Sequence, residues 1–144
     1  MAAKAKPSRC FYLCLAMLLA GSEAALADTS TEAIAATRAA VSEMTPKDVG
    51  SRYGQALGAA EVCTGTKATD KVSQINTIYT GADLQSFATQ ATKIRDAWDK
   101  LKLCTSADNP NQCKVIVDES CAAAIAEIGP SGTVLPGLLE QIPH

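Results

Sequence analysis

The sequence predicts an all-α fold, a small disulfide-stapled bundle or orthogonal array of about five helices. Three observations carry that expectation. Apolar residues recur at steps of three and four in each patterned stretch, and no segment shows the two-residue period of a strand. Alanine fills 26 of the 144 positions while aromatic residues make up 4%, a composition suited to helices packed closely over a thin core. Four cysteines follow a segment that reads as an export signal, so they are expected to be oxidised.

The export signal comes first in the chain. Lys4, Lys6 and Arg9 make a basic start, Cys10 to Ala20 is an apolar run, and Ala25-Leu26-Ala27 fits the small-x-small rule for signal peptidase. Cleavage is expected after Ala27. The run is too short for a membrane anchor, which needs about 20 apolar residues. Cys10 and Cys14 lack the small-residue context of a lipoprotein signal. Residues 28–144 are then one helical domain, since the length leaves no room for two. Loss of residues 1–27 removes Lys4, Lys6, Arg9 and Glu23 and leaves 10 basic and 14 acidic side chains. Such a balance gives no basic footprint for nucleic acid. No later segment is apolar enough to span a bilayer. The expected location is periplasmic or secreted.

Each helix has a start signal. Thr29-Ser30-Thr31-Glu32 reads as a capping box, opening a helix with Ala33, Thr37, Ala40, Val41 and Met44 along one side. Thr45 and Pro46 start the next, as N-cap and first helical residue, with a stripe of Val49, Tyr53, Ala56, Ala60 and Cys63 and a stop at Gly65. A shorter helix is expected over Lys67–Tyr79, with Ala68, Val72, Ile75 and Ile78 inward. Thr80-Gly81-Ala82-Asp83 caps the best-defined helix, whose stripe is Leu84, Phe87, Ala91, Ile94, Trp98 and Leu101. Asn109-Pro110 opens the last, with Cys113, Val117, Cys121, Ala124 and Ile128 on one face, and Gly129-Pro130 ends it. The tail, 131–144, is expected to be an extended cover with one helical turn after Pro136. Short connections make neighbouring helices antiparallel.

Cys63, Cys104, Cys113 and Cys121 allow three pairings. Cys104 and Cys113 flank a loop between two predicted helices, which favours Cys104–Cys113 and leaves Cys63–Cys121 to join helices distant in sequence. A four-thiolate metal site is disfavoured, because the intervening spacings are 40, 8 and 7 residues rather than the close pairs zinc uses. With no Cys-x-x-Cys, thioredoxin-type chemistry and c-type haem attachment are excluded.

The remaining chemistry is sparse. The only histidine is His144, the last residue, so Ser-His-acid and Cys-His catalysis and histidine metal sites have no basis. Asp118 and Glu119 are adjacent and point about 100° apart on a helix. Asp96 and Asp99 share a face among Lys93, Lys100 and Lys102, which reads as a solvated surface. No EF-hand, P-loop or dinucleotide fingerprint occurs, so no cofactor and no enzymatic activity are expected.

Two features point to binding. Gly50, Gly54 and Gly58 repeat every fourth residue inside a helix, each costing about 1 kcal/mol relative to Ala. Such a strip serves either close approach by another helix of the same chain or a seam for a partner. Trp98 with Tyr53 and Tyr79 reads either as core or as the lining of a pocket for a small apolar ligand.

Tyr53 to Cys63, Asn111-Gln112-Cys113-Lys114 and Glu119-Ser120-Cys121-Ala122 resemble small exported four-cysteine helical proteins of Gram-negative bacteria, a group with no assigned function. The resemblance covers about residues 45–140 and implies a helical periplasmic protein. The spacing of Cys104, Cys113 and Cys121 is also similar to the last three cysteines of insect odorant-binding proteins, whose closely spaced earlier pair is absent here. The expectation is a non-catalytic binding or interaction protein of the cell envelope, chaperone-like, with a protein partner. The alternative is a carrier of a small apolar ligand.

Overall fold

The computed structural model describes residues 23–104 and 110–143. In chain order these form α1 (Glu23–Val41), α2 (Pro46–Val62), β1 (Thr66–Ala68), α3 (Asp70–Ile75), α4 (Gly81–Cys104), α5 (Pro110–Ile128) and β2 (Leu139–Gln141). Among the described residues the protein is thus all-α apart from one small antiparallel ribbon. Two compact units divide it, Met1–Ala33 and Ile34–His144.

The signal-like residues 1–22 lie outside the described residues. The expected cleavage point after Ala27 falls within α1, which begins at Glu23 rather than at the capping box. Glu-Ala-Ala-Leu-Ala is a strong helix-forming run, so the helix extends back past Thr29. Of the expected inward face of α1, Thr37 and Val41 are buried and Ala40 is exposed. Thr37 is held by a hydroxyl donated to Gln74 Oε1, at 2.6 Å.

At the start of α2, the Thr45 side chain accepts from the Asp48 amide at 3.1 Å and Pro46 occupies the first turn, as the sequence indicates. Gly50, Gly54 and Gly58 lie against Phe87, Ala91 and Trp98 of α4 in that order. The two helices therefore run parallel. The segment between them sets this course: β1, α3 and the turn after it carry the chain back to the starting end of α2. Helix α5 reverses direction, since Cys121 joins Cys63 at the end of α2 while Glu127 meets Arg52 and Gln55 near its middle.

The helix expected over Lys67–Tyr79 is realised only as Asp70–Ile75. Thr66–Ala68 instead pairs with the tail, in the register Thr66↔Gln141, Lys67↔Glu140 and Ala68↔Leu139. Thr66 is fixed for this by its hydroxyl, which donates to the carbonyl oxygen of Cys63 at 2.9 Å. Beyond Ile75, Asn76, Thr77 and Ile78 have weak helix propensity, and Thr77 and Ile78 turn back on Gln74 and Ile75. Val72 and Ile75 are buried as expected.

The tail is a cover, as expected, but no helical turn follows Pro136. Pro136 and Gly137, the latter at φ 80°, occupy the central positions of a turn of type II pattern. Around it, the amides of Thr133, Val134, Leu135 and Leu138 donate to Ala126, Glu127, Glu127 and Ile128, satisfying the last carbonyls of α5. Of the seven largest fully buried side chains, Leu135, Leu138 and Leu139 come from this tail; the others are Val49, Ile75, Phe87 and Ile128. The tail is therefore a wall of the core.

Among the described residues two disulfides are present, Cys63–Cys121 and Cys104–Cys113, each with Cα atoms 5.6 Å apart. They match the favoured pairing.

Candidate functional site

The glycine strip is not an open surface. A Cβ at Gly50 would collide with the carbonyl oxygen of Phe87, one at Gly54 with that of Ala91, and one at Gly58 with the Trp98 side chain. All three glycines are buried beneath α4. Of the two roles the sequence allows, the strip serves close packing within the chain.

The pocket of Trp98, Tyr53 and Tyr79 is not assembled either. Tyr53 and Tyr79 pack on Phe87, with ring centroids 5.0 and 5.3 Å away. Trp98 sits three helical turns further along α4, about 16 Å at 1.5 Å per residue. Parallel packing of α2 on α4 places Tyr53 beside Phe87 and therefore away from Trp98. The Tyr79 hydroxyl is buried with no hydrogen-bond partner. Burial pushes the Tyr79 phenol up from its ordinary value, and the Asp83 carboxylate adds to the shift.

Trp98 does border a groove. It is open along one side, holds about 330 Å³, and is framed by three helices: Ser51, Arg52 and Gln55 from α2, Ile94, Ala97, Trp98 and Leu101 from α4, and Ser120 and Ala123 from α5. Ile94, Ala97, Trp98 and Leu101 lie on one side of α4, which gives the groove an apolar floor. Small residues on the facing helices, Ser51, Ser120 and Ala123, leave the space unfilled.

Charge at the groove is already paired. Arg52 donates to Glu127 and to Gln55 Oε1, the latter at 3.0 Å, and Gln55 Nε2 donates to Glu127 at 2.9 Å. This bridge from α2 to α5 was missed in the sequence, because Glu127 stands 75 residues from Arg52. The lining thus supplies apolar contact, two hydroxyls and a self-satisfied ion pair.

A second apolar feature lies at the α4–α5 end. Leu103, Val115 and Ile116 are 70%, 54% and 40% exposed, close in sequence to Cys104 and Cys113. Asp96 and Asp99 are exposed on α4, as a solvated face should be. His144 lies outside the described residues. Among the described residues, no three His, Cys, Asp or Glu side chains converge as a metal site, and no helix is long and apolar enough to cross a membrane. The two disulfides fit an oxidising, extracytoplasmic compartment. No family model, no curated protein and no solved structure matches this chain.

Proposed function

We propose that this is an exported, non-catalytic binding protein of the cell envelope, periplasmic or secreted, that engages a protein partner in a chaperone-like manner. The observation that carries this reading is the open groove between α2, α4 and α5, floored by Ile94, Trp98 and Leu101. Its small-residue walls suit a partner's side chains or a helix edge. The exposed Leu103, Val115 and Ile116 extend apolar contact toward the α4–α5 end. The four-cysteine resemblance and the signal-like N-terminus agree with an envelope location.

The test is crosslinking in the native host with protein carrying a photoreactive residue at Ala97 or Ala123. The expected result is a discrete crosslinked partner that is lost when Ala97→Arg fills the groove. A strictly monomeric, uncrosslinked protein in the same envelope fraction refutes the reading.

The carrier reading keeps one supporting observation. The groove volume lies at the lower end of the range for small-molecule sites, about 300–1,000 Å³, and Trp98 borders it. Such sites enclose about 70–90% of a ligand's surface, and an open groove suits this less well. Titration of Trp98 emission with fatty acids and amphiphiles separates the two readings. A saturable spectral change favours the carrier, and an unchanged spectrum across the panel removes it.

A further inference from the structure

The two disulfides hold different things. Cys63 is 6% exposed within the main core, and Cys121 packs against that core. Just beyond Cys121, Ala124 and Ile128 of α5 are completely buried and the tail closes over them. Packing therefore keeps this sulfur pair together even without the bond. The α4–α5 end is built otherwise. None of residues 114–120 on α5 and none of residues 99–103 on α4 is buried. Among the described residues there, the buried one is Cys113 itself, 4% exposed and bonded to the half-exposed Cys104. Helix α5 touches both α4 and α2 sparingly, but it meets α2 at the end where Ala124 and Ile128 are buried and meets α4 at the end where its side chains are exposed.

We infer that Cys104–Cys113 is a redox-labile clasp whose reduction releases the first half of α5 from α4 while Cys63–Cys121 holds the body folded. The physical argument is one of effective concentration. A dithiol that packing keeps in contact re-forms its disulfide readily and resists reduction. A dithiol held by its bond and a nine-residue stretch of chain is freer once reduced than one clamped by packing, so of the two pairs its reduced form is the more favoured. In the step, a thiolate of an external dithiol reductant attacks the Cys104 sulfur. The Cys104–Cys113 bond breaks, a mixed disulfide forms on Cys104, and Cys113 leaves as a thiolate and is protonated. The reductant's second thiolate then attacks its own sulfur in that mixed disulfide. Cys104 is released and protonated, and the reductant leaves as an intramolecular disulfide. Two electrons and two protons pass to the protein.

The experiment equilibrates the exported protein across dithiothreitol redox buffers, alkylates free thiols and maps them by peptide mass spectrometry, with amide exchange measured on the same samples. Cys104 and Cys113 are expected to be the first thiols labelled. At that potential the amides of 114–119 should exchange at least about tenfold faster while those of α2 keep their protection. The Cys104→Ser/Cys113→Ser variant is expected to reproduce this pattern without reductant. Labelling of Cys63 and Cys121 first or simultaneously, unchanged exchange over 114–119, or loss of α2 protection in the double variant would each overturn the inference.

Discussion

At Gly58 a Cβ would overlap the Trp98 side chain, and at Gly50 and Gly54 it would run into backbone carbonyls of α4. Alanine is the better helix former by about 1 kcal/mol, yet a carbonyl on a packed helix cannot move aside like the end of a long side chain. Gly50→Ala is therefore expected to lower the unfolding free energy by about 1–3 kcal/mol, read from urea denaturation. Gly137 gives a different case: nothing crowds its missing Cβ, but φ is 80°, so Gly137→Ala should cost about 1 kcal/mol through backbone strain alone. At Tyr79 the sign reverses. Its buried hydroxyl lacks a partner, so Tyr79→Phe is expected to leave stability unchanged or raise it by about 1 kcal/mol. The phenol's raised pKa adds a pH signature. The folded protein keeps its proton above the point where the unfolded chain releases it. That contribution is complete below the ordinary tyrosine pKa and fades as pH climbs through the higher folded value. The stability difference between wild type and Tyr79→Phe, read from unfolding curves at stepped alkaline pH, should change in that window and stay constant below it.

Among the elements, the tail has the largest effect relative to its length. Leu135, Leu138 and Leu139 are all within 1% of complete burial. They are placed there by the turn at Pro136-Gly137 and by amides that close the end of α5. Leu138→Ala is expected to cost about 2–5 kcal/mol, measured by thermal or urea unfolding, and to raise amide exchange over β1 as well as β2. The cross-strand pair Lys67–Glu140, 2.6 Å apart, is solvent-exposed and adds little to this. Removing the cap of α2 with Thr45→Ala should cost about 1 kcal/mol, a smaller and separable effect.

For the whole molecule, covalent closure is one of the largest contributions. Cys63–Cys121 spans 58 residues and Cys104–Cys113 spans nine. In the chain-entropy account these loops contribute about 4 and about 3 kcal/mol. Stabilities of small domains run about 5–15 kcal/mol, so the longer bridge is a large share of the total. Cys63→Ala/Cys121→Ala is expected to lower the melting midpoint markedly more than Cys104→Ser/Cys113→Ser. Differential scanning calorimetry of the two variants gives the comparison directly.

The boundaries of α2, α4 and α5 were legible in the sequence because local chemistry sets them. Thr45 bonds its own helix, Gly65 supplies a positive φ, and Gly129-Pro130 cannot continue a helix. The cysteine pairing was legible as well, since a hairpin brings Cys104 to Cys113 and leaves one alternative for the other two. The Gly50–Gly54–Gly58 period announced a close approach but not its partner. Tertiary structure decided the rest, because each remaining feature depends on residues far apart in the chain. The parallel course of α2 and α4 comes from the return path through β1 and α3. The strand at Thr66–Ala68 exists only because the tail lies beside it. The groove joins Ser51 to Ala123, and its charge bridge joins Arg52 to Glu127. Local periodicity specifies which face of a helix is apolar; only the packed arrangement specifies what that face meets, and where a face is left open.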